Sequence, residues 1–140
     1  MSIGLAAGLV AISAAILLFL GVMHLLYTFR GRKLHPRDSA LETAMKHSHP
    51  VLTRRTTMWN AWVGFNASHS MGAILYGLLY GYLALAHPAM LFASPFLLGT
   101  GLALLLGYSL VGKRYWFNAP NSGIFTATAL YASALIVALF

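Results

Sequence analysis

Long stretches of this chain carry no formal charge. No Lys, Arg, Asp or Glu falls in residues 1–29, 56–112 or 115–140. The nine Lys and Arg residues gather in two places: Arg30, Arg32, Lys33, Arg37, Lys46, Arg54 and Arg55 in one segment, Lys113 and Arg114 in the other. A charged side chain at the centre of a bilayer costs about 2.5–3.5 kcal/mol even on insertion scales. The charge-free runs can therefore lie in lipid and the cationic segments cannot. Short cationic loops stay on the cytoplasmic side during insertion. With four apolar stretches, both cationic segments then share one side and both termini lie on the other. The pattern predicts an all-α, four-transmembrane-helix bundle with both ends outside, its spans near 3–29, 56–86, 92–111 and 120–140. The basic loop 30–55 is cytoplasmic in this scheme.

Composition agrees. The chain is 59% hydrophobic and 8% charged, against about 25% charged in a soluble domain. Its 140 residues make one membrane domain. The net charge of +7 points to anionic lipid headgroups and not to nucleic acid, because the cations bracket apolar runs. Arg30, Arg32, Lys33, Arg54, Arg55, Lys113 and Arg114 are the headgroup-facing residues in this reading. The absence of cysteine excludes disulfides, thiolate metal sites, iron–sulfur clusters and Cys nucleophiles. The start of the chain lacks a basic n-region, and its apolar run is too long for a secretory signal.

Local features refine each span. Gly4 and Gly8, continued by Ala11 and Ala15, form a small-residue face suited to close helix contact. Ser39-Ala-Leu-Glu42 has capping-box spacing. It predicts a short amphipathic helix over 39–47 on the membrane surface, ended before Pro50, with Glu42 as a capping residue. The second span would be about 45 Å long as a helix, more than hydrocarbon needs, so it tilts or protrudes on the basic side. Gly77 and Gly81 offer it a packing step, Tyr76, Tyr80 and Tyr82 suit the far interface, and His87-Pro88 ends it. In the third span Gly99, Ala103 and Gly107 read as the packing stripe, and Leu98, Leu102, Leu105 and Leu106 as the lipid face. Tyr115, Trp116 and Phe117 follow as an interfacial anchor. Pro120 marks the first turn of the fourth.

Polar side chains concentrate in the first half of the second span: Asn60, Asn66, Ser68, His69 and Ser70. Trp59, Trp62, Asn66 and His69 follow i, i+3, i+7, i+10 spacing and share one helix face. Asn60, Gly64 and Ser68 form the adjoining stripe. Polar groups are expensive in lipid and mark function more often than apolar ones do. Two readings stand side by side. The polar groups bond to neighbouring helices, at about 0.6 kcal/mol each, with the indoles as interfacial anchors. Alternatively the face lines a pocket for a lipophilic ligand, where one donor and aromatic walls suffice for a quinone.

Haem b would need His24 and His69 as paired ligands. Counted from Arg30 and Arg55, those two differ in depth by roughly 12 Å at the helical rise. That argues against haem unless the second helix protrudes. Met58, Met71 and His69 are too widely spaced for a compact copper site. His35, His47 and His49 fit a solvated loop better than a metal group. Asp38 and Glu42 are the only carboxylates, both in the basic loop, where local ion pairs suit them. Carboxylate-driven ion coupling and paired-acid hydrolysis within the membrane are thereby excluded. Neighbours on a helix point about 100° apart, so a Ser68 or Ser70 nucleophile with His69 as base is sterically poor.

Three strings carry a resemblance. Arg54-Arg55-Thr56-Thr57-Met58-Trp59 with Gly64-Phe65-Asn66-Ala67-Ser68-His69-Ser70 is one. Gly21-Val22-Met23-His24-Leu25 followed by Pro36-Arg37-Asp38 is the second, and Lys113-Arg114-Tyr115-Trp116-Phe117 before Pro120 and Gly123 the third. Together they resemble a family of small bacterial four-helix integral membrane proteins with no assigned function. The resemblance implies the fold and the bacterial inner membrane, and it lends no mechanism. The leading expectation is a non-catalytic accessory, assembly or interaction subunit of a larger membrane complex, touching lipid and other membrane subunits or copies of itself. The alternative is a binding or redox protein that holds a quinone, a lipid or haem b against Trp59, Trp62, Asn66 and His69, with His24 nearby.

Overall fold

A computed structural model describes residues 2–139. The elements in chain order are α1 (Ser2–Phe29), α2 (Ser39–His47), α3 (Met58–Ala86), α4 (Pro88–Ala93), α5 (Pro95–Tyr115) and α6 (Asn118–Leu139), with no strand among the described residues. Four of them, α1, α3, α5 and α6, are long and apolar enough to cross a membrane. This is the make-up of a multi-pass helical membrane protein.

Local chemistry sets the boundaries. Gly31, at φ 80°, adopts the left-handed conformation that lets the chain leave α1 just past its last turn. Thr57 Oγ1 accepts the Asn60 amide and starts α3 at Met58, two residues later than the apolar pattern. The third span was expected to start at about Phe92 or Phe96; α5 starts at Pro95, and Phe92 belongs to the separate helix α4. Pro88 and Pro95 each occupy a first turn, and each pushes the residue before it out of helical geometry. Ser94 then caps α5 by accepting the Leu97 amide at 3.3 Å. α5 runs on through Lys113 and Arg114, which sit in its last turn where the helix dipole favours cations. α6 begins two residues before Pro120, a first-turn position that needs no amide donor.

The chain packs as two compact units, one made of residues up to Leu20 with Ala73 onward, the other of Gly21–Gly72. The apolar core lies in the first. Ala6, Val10, Ala14 and Leu17 of α1 are at most 1% exposed and present one face. Ala73, Tyr76, Tyr80 and Leu83 of α3, Leu105 of α5, and Ala127, Tyr131 and Ala134 of α6 complete the core. Close approach occurs at Gly77, where a Cβ would sit 2.6 Å from Leu18 Cβ and 2.8 Å from Ala14 O. Hydroxyls tie the helices together. Ser13 donates to Ala127 O at 2.7 Å, Tyr80 to Leu97 O at 2.7 Å and Tyr131 to Leu98 O at 3.1 Å, while Ser109 and Thr128 share a bond of 3.0 Å.

Several expectations are corrected here. Gly4, Gly8 and Ala15 face outward, as do Gly99, Ala103 and Gly107, and nothing lies within 4 Å of a Cβ built on any of those glycines. The inner stripe of α5 is Gly101, Leu105, Ser109 and Gly112. Leu105 is fully buried, and Leu98 and Leu102 pack against the core, which leaves Leu106 as the exposed one of that expected lipid face. Tyr76 and Tyr80 are core residues, stacked with centroids 4.6 Å apart, and only Tyr82 is exposed. Small side chains and tyrosines signal close packing and amphipathy. They carry no sign for which side of the helix the partner occupies.

The glycines separate by location. Gly77→Ala should lower stability by about 1–3 kcal/mol, because the added methyl meets backbone that must move. Gly99→Ala should leave stability unchanged or raise it by up to about 1 kcal/mol through helix propensity. Reversible unfolding in mixed micelles, followed by circular dichroism, measures both. Equal losses at the two positions would contradict the packing described.

Candidate functional site

The expected polar-aromatic face of α3 exists within the second unit, and its members engage one another in sequence. Trp62 Nε1 donates to Leu34 O at 3.1 Å. One turn along, Asn66 Nδ2 donates to Trp62 O at 2.8 Å. Because that carbonyl only accepts, the amide's orientation is fixed and Oδ1 is left to face α1. There it meets His24 Nε2 at 2.9 Å. An amide oxygen only accepts as well, so His24 donates, and its neutral form carries the proton on Nε2. Ser70 Oγ closes the series on Asn66 O at 2.7 Å.

His24 and His69 come together. Their rings meet edge to face with centroids 5.4 Å apart and planes at 79°. The depth count had set them well apart, and the discrepancy has a specific source. It assumed that Arg30 and Arg55 mark one level. In the structure Thr28, at the end of α1, lines the same small void as Val63 and Asn66. The loop residues Leu34 and His35 lie against Trp62 and Trp59. The first turn of α3 therefore stands level with the loop, beyond the end of α1. His24 is one turn inward from Thr28, and His69 is one turn inward from the other wall of the void. Protrusion of α3 cancels the mismatch.

The face is largely filled by its own chain. The void between Thr28, Leu34, Trp59 and Trp62 has a volume of about 10 Å³, room for one water at most. Pockets that hold organic ligands run to about 300–1,000 Å³. Trp62 nevertheless remains 43% exposed, so the face has an open flank. The adjoining stripe of Asn60, Gly64 and Ser68 is exposed along its length. The hydroxyl of Ser68 donates to Phe65 O, within its own helix.

Local ion pairs hold the basic loop, as its two carboxylates suggested, but the capping residue and the convergence on Glu42 differ from expectation. Asp38, not Ser39, caps α2 by accepting the Ala40 amide at 2.8 Å, so the capping register shifts by one residue. Glu42 thus makes no capping box. It accepts from Lys46 at 2.6 Å and from Arg32 at 3.2 Å, and it bonds His35 Nδ1 at 3.2 Å. His35 also packs edge-on against Trp59 at 4.8 Å, and Lys46 Nζ lies 5.2 Å above the same ring. One carboxylate and one indole hold α2 to the start of α3. The i, i+4 step from Glu42 to Lys46 was legible, whereas the convergence of Arg32 and His35 needs the loop's fold.

The loop histidines do not converge. His47 bonds Thr43 O and His49 bonds Thr56 O, and no three ligating residues form a metal group among the described residues. Arg30, Arg32, Lys33, Arg54, Arg55, Lys113 and Arg114 are exposed. Lys33 Nζ sits 3.9 Å from the centroid of the Tyr27 ring.

The hydrogen bond of Lys46, followed by that of His35, pulls the Glu42 carboxyl from its ordinary 4.5 down to about 2. A depressed carboxylate pKa contributes stability in full above the unfolded value and loses it as pH falls through the folded one. The α2 ion cluster should therefore persist to about pH 3 and dissolve near pH 2. A carbon-13 titration of the Glu42 carboxyl should show that midpoint, and Lys46→Met should move it upward. An ordinary midpoint in the unaltered chain would sink this account. For the α1–α3 contact, a double-mutant cycle of His24→Ala and Asn66→Ala should give a coupling of about 0.6 kcal/mol, the average for interhelical polar bonds in membranes, and no more than about 1.7.

The chain matches no protein-family model, no curated protein and no solved structure.

Proposed function

We propose that this chain is a non-catalytic accessory, assembly or interaction subunit of a larger complex in a bacterial inner membrane. It belongs, in this reading, to the family of small four-helix membrane proteins that its motifs resemble. The cation distribution supports an orientation with both termini outside and loop 30–55 in the cytoplasm, its arginines and lysines on anionic headgroups.

One observation carries the reading: the small-residue stripes face outward. Gly4 and Gly8 on α1, Gly64 and Ser68 on α3, and Gly99, Ala103 and Gly107 on α5 are all exposed. Lipid tails give helices no hydrophobic reason to associate, so association rests on close backbone approach and on polar bonds. Small residues on the outside provide the first. Asn60 and Ser68, on the α3 stripe, provide groups for the second. The core uses different positions, so these surfaces remain available to another helix. The Ser68 and Ser70 hydroxyls are both turned onto carbonyls of their own helix, which favours a role without Ser–His chemistry.

The exposed flank of Trp62 favours a second reading, a quinone, lipid or haem b held against Trp59, Trp62, Asn66 and His69. The two separate on purification from the native membrane in mild detergent. The accessory role expects a colourless chain that travels with other membrane subunits and loses them on Gly64→Leu or Ser68→Leu. A lone chain carrying a Soret band or extractable quinone would establish the second reading instead. The orientation has its own check. The chain lacks cysteine, so Lys46→Cys and Lys113→Cys each create a unique label site. Both should react from the cytoplasmic face only, and labelling from opposite faces would refute the topology.

A further inference from the structure

Pro50, Val51, Leu52 and Thr53 form a tight turn between α2 and α3, closed by the Thr53 amide on Pro50 O at 3.2 Å. Val51 and Leu52 take its two central positions and are 109% and 93% exposed. Turn centres ordinarily carry Gly, Asn, Asp or Ser, and branched apolar side chains held in water forgo the free energy of burial. The turn is nonetheless built with care. The Met58 amide donates to Ser48 O at 2.8 Å, and His49 Nδ1 donates to Thr56 O at 2.8 Å, so the loop 49–57 is pinched shut at its base. Beside the apex, Thr53 Oγ1 accepts the Arg55 amide at 3.1 Å. Compact loops whose ends lie this close are frequently functional. This one holds two apolar side chains outward on a backbone that is already ordered.

Charge and depth identify what covers the apex. Arg54 and Arg55 follow it directly and are exposed. The two carboxylate side chains of the chain are engaged elsewhere, Glu42 with Lys46, Arg32 and His35, and Asp38 with the Ala40 amide. The guanidinium groups of Arg54 and Arg55 are thus left to an external anion. Trp62 donates to Leu34 O, just past the cations that follow α1, which suits an indole at the membrane interface. Met58 lies one turn further out, about 6 Å at the helical rise, within a headgroup layer of about 5–8 Å on each side. The Ser48–Met58 bond keeps both ends of the loop at that level. Two apolar side chains are far too few for a stable protein interface, which takes about 20–30 residues a side. They suffice for lipid, because the spans already hold the loop beside it. We propose that the loop 49–57 is an anionic-phospholipid site, in which Val51 and Leu52 enter the upper acyl region of the cytoplasmic leaflet and Arg54 and Arg55 hold the surrounding phosphates. It rests on the placement of loop 30–55 at the cytoplasmic headgroups given above, and it is independent of the accessory role.

The test is methyl NMR of the full-length protein in nanodiscs of phosphatidylcholine, alone or mixed with phosphatidylglycerol. In the mixed discs, lipids bearing a nitroxide on the upper acyl chain should broaden the Val51 and Leu52 methyl signals, and a neutral water-soluble gadolinium chelate should not. In phosphatidylcholine alone the chelate should gain access. Arg54→Gln combined with Arg55→Gln should lower the docked-to-undocked ratio in the mixed discs about 10–30-fold. Unchanged methyl signals of Val10 and Leu17 establish that the variant is folded. Apex methyls reached by the chelate and not by the nitroxide in the mixed discs would overturn the proposal and leave the apex to a soluble partner. Equal insertion in both lipid compositions, or insertion indifferent to the arginine variant, would overturn it as well. The underlying placement fails separately: Lys46→Cys labelled from the outer face sinks both, whereas cytoplasmic labelling with chelate-exposed apex methyls sinks this proposal alone.

Discussion

Hydrocarbon offers no water, so every polar group on a spanning helix has to find its partner within protein. The backbone meets that demand by being helical. Several side chains meet it by reaching for carbonyls, while Tyr76 Oη and Asn121 Oδ1 stay buried without a hydrogen-bond partner. In the first unit Ser13, Tyr80 and Tyr131 each donate to a main-chain oxygen of another helix. These bonds fix rotation about each helix axis, which Ala6, Val10 and Ala14 alone would leave loosely determined. Small, smooth residues allow close approach at several angles, and a hydroxyl that must reach one carbonyl allows far fewer. The core is apolar in area and polar in its register.

The second unit applies the same rule to a different composition. Its contacts run from Leu34 through Trp62 and Asn66 to His24, and its outer part from Trp59 through His35 and Lys46 to Glu42. The loop beside Trp59 is hydrated and charged, so ion pairs there are individually weak. Several of them converge on one carboxylate, and the indole below supplies an apolar floor for the Lys46 stem and the imidazole of His35. The result holds a nine-residue helix, α2, that would be marginal in isolation.

The four long helices were legible from charge and hydropathy because those are properties of whole segments, whereas the short α4 was not. The ends of α1, α2 and α3 fell within two residues of expectation for the same reason. Facing was far less legible. The glycines at 4, 8, 99 and 107 lie outside the bundle and the tyrosines at 76 and 80 inside it, and the sequence pattern decided neither. In a soluble protein the polar face marks the outside. Here both faces are apolar, so periodicity loses its reference. The shared face of Trp59, Trp62, Asn66 and His69 on α3 was legible from their i, i+3, i+7, i+10 spacing. Its partner residues were found less well. The meeting of His24 with His69 depends on how far α3 overhangs α1, and that is set by the path of the loop through Leu34 and His35.

The composition of that meeting point sharpens the functional question. A bond between His24 and Asn66 is worth about 0.6 kcal/mol in a membrane, because unfolded helices in lipid find other partners too. Two apolar side chains of similar volume would pack α1 against α3 without the cost of burying polar atoms, and such replacements are often neutral or stabilising even for charged pairs. Stability alone therefore gives no reason to place two imidazoles and an amide together at this contact. What the arrangement provides that leucines would not is chemical: one tautomer selected, one lone pair left on a fixed ring, and a second imidazole beside it. The same bonds that hold the helices also fix which nitrogen of His24 carries its proton, so structural and chemical roles here are two consequences of one hydrogen-bond chain and not competing explanations of it.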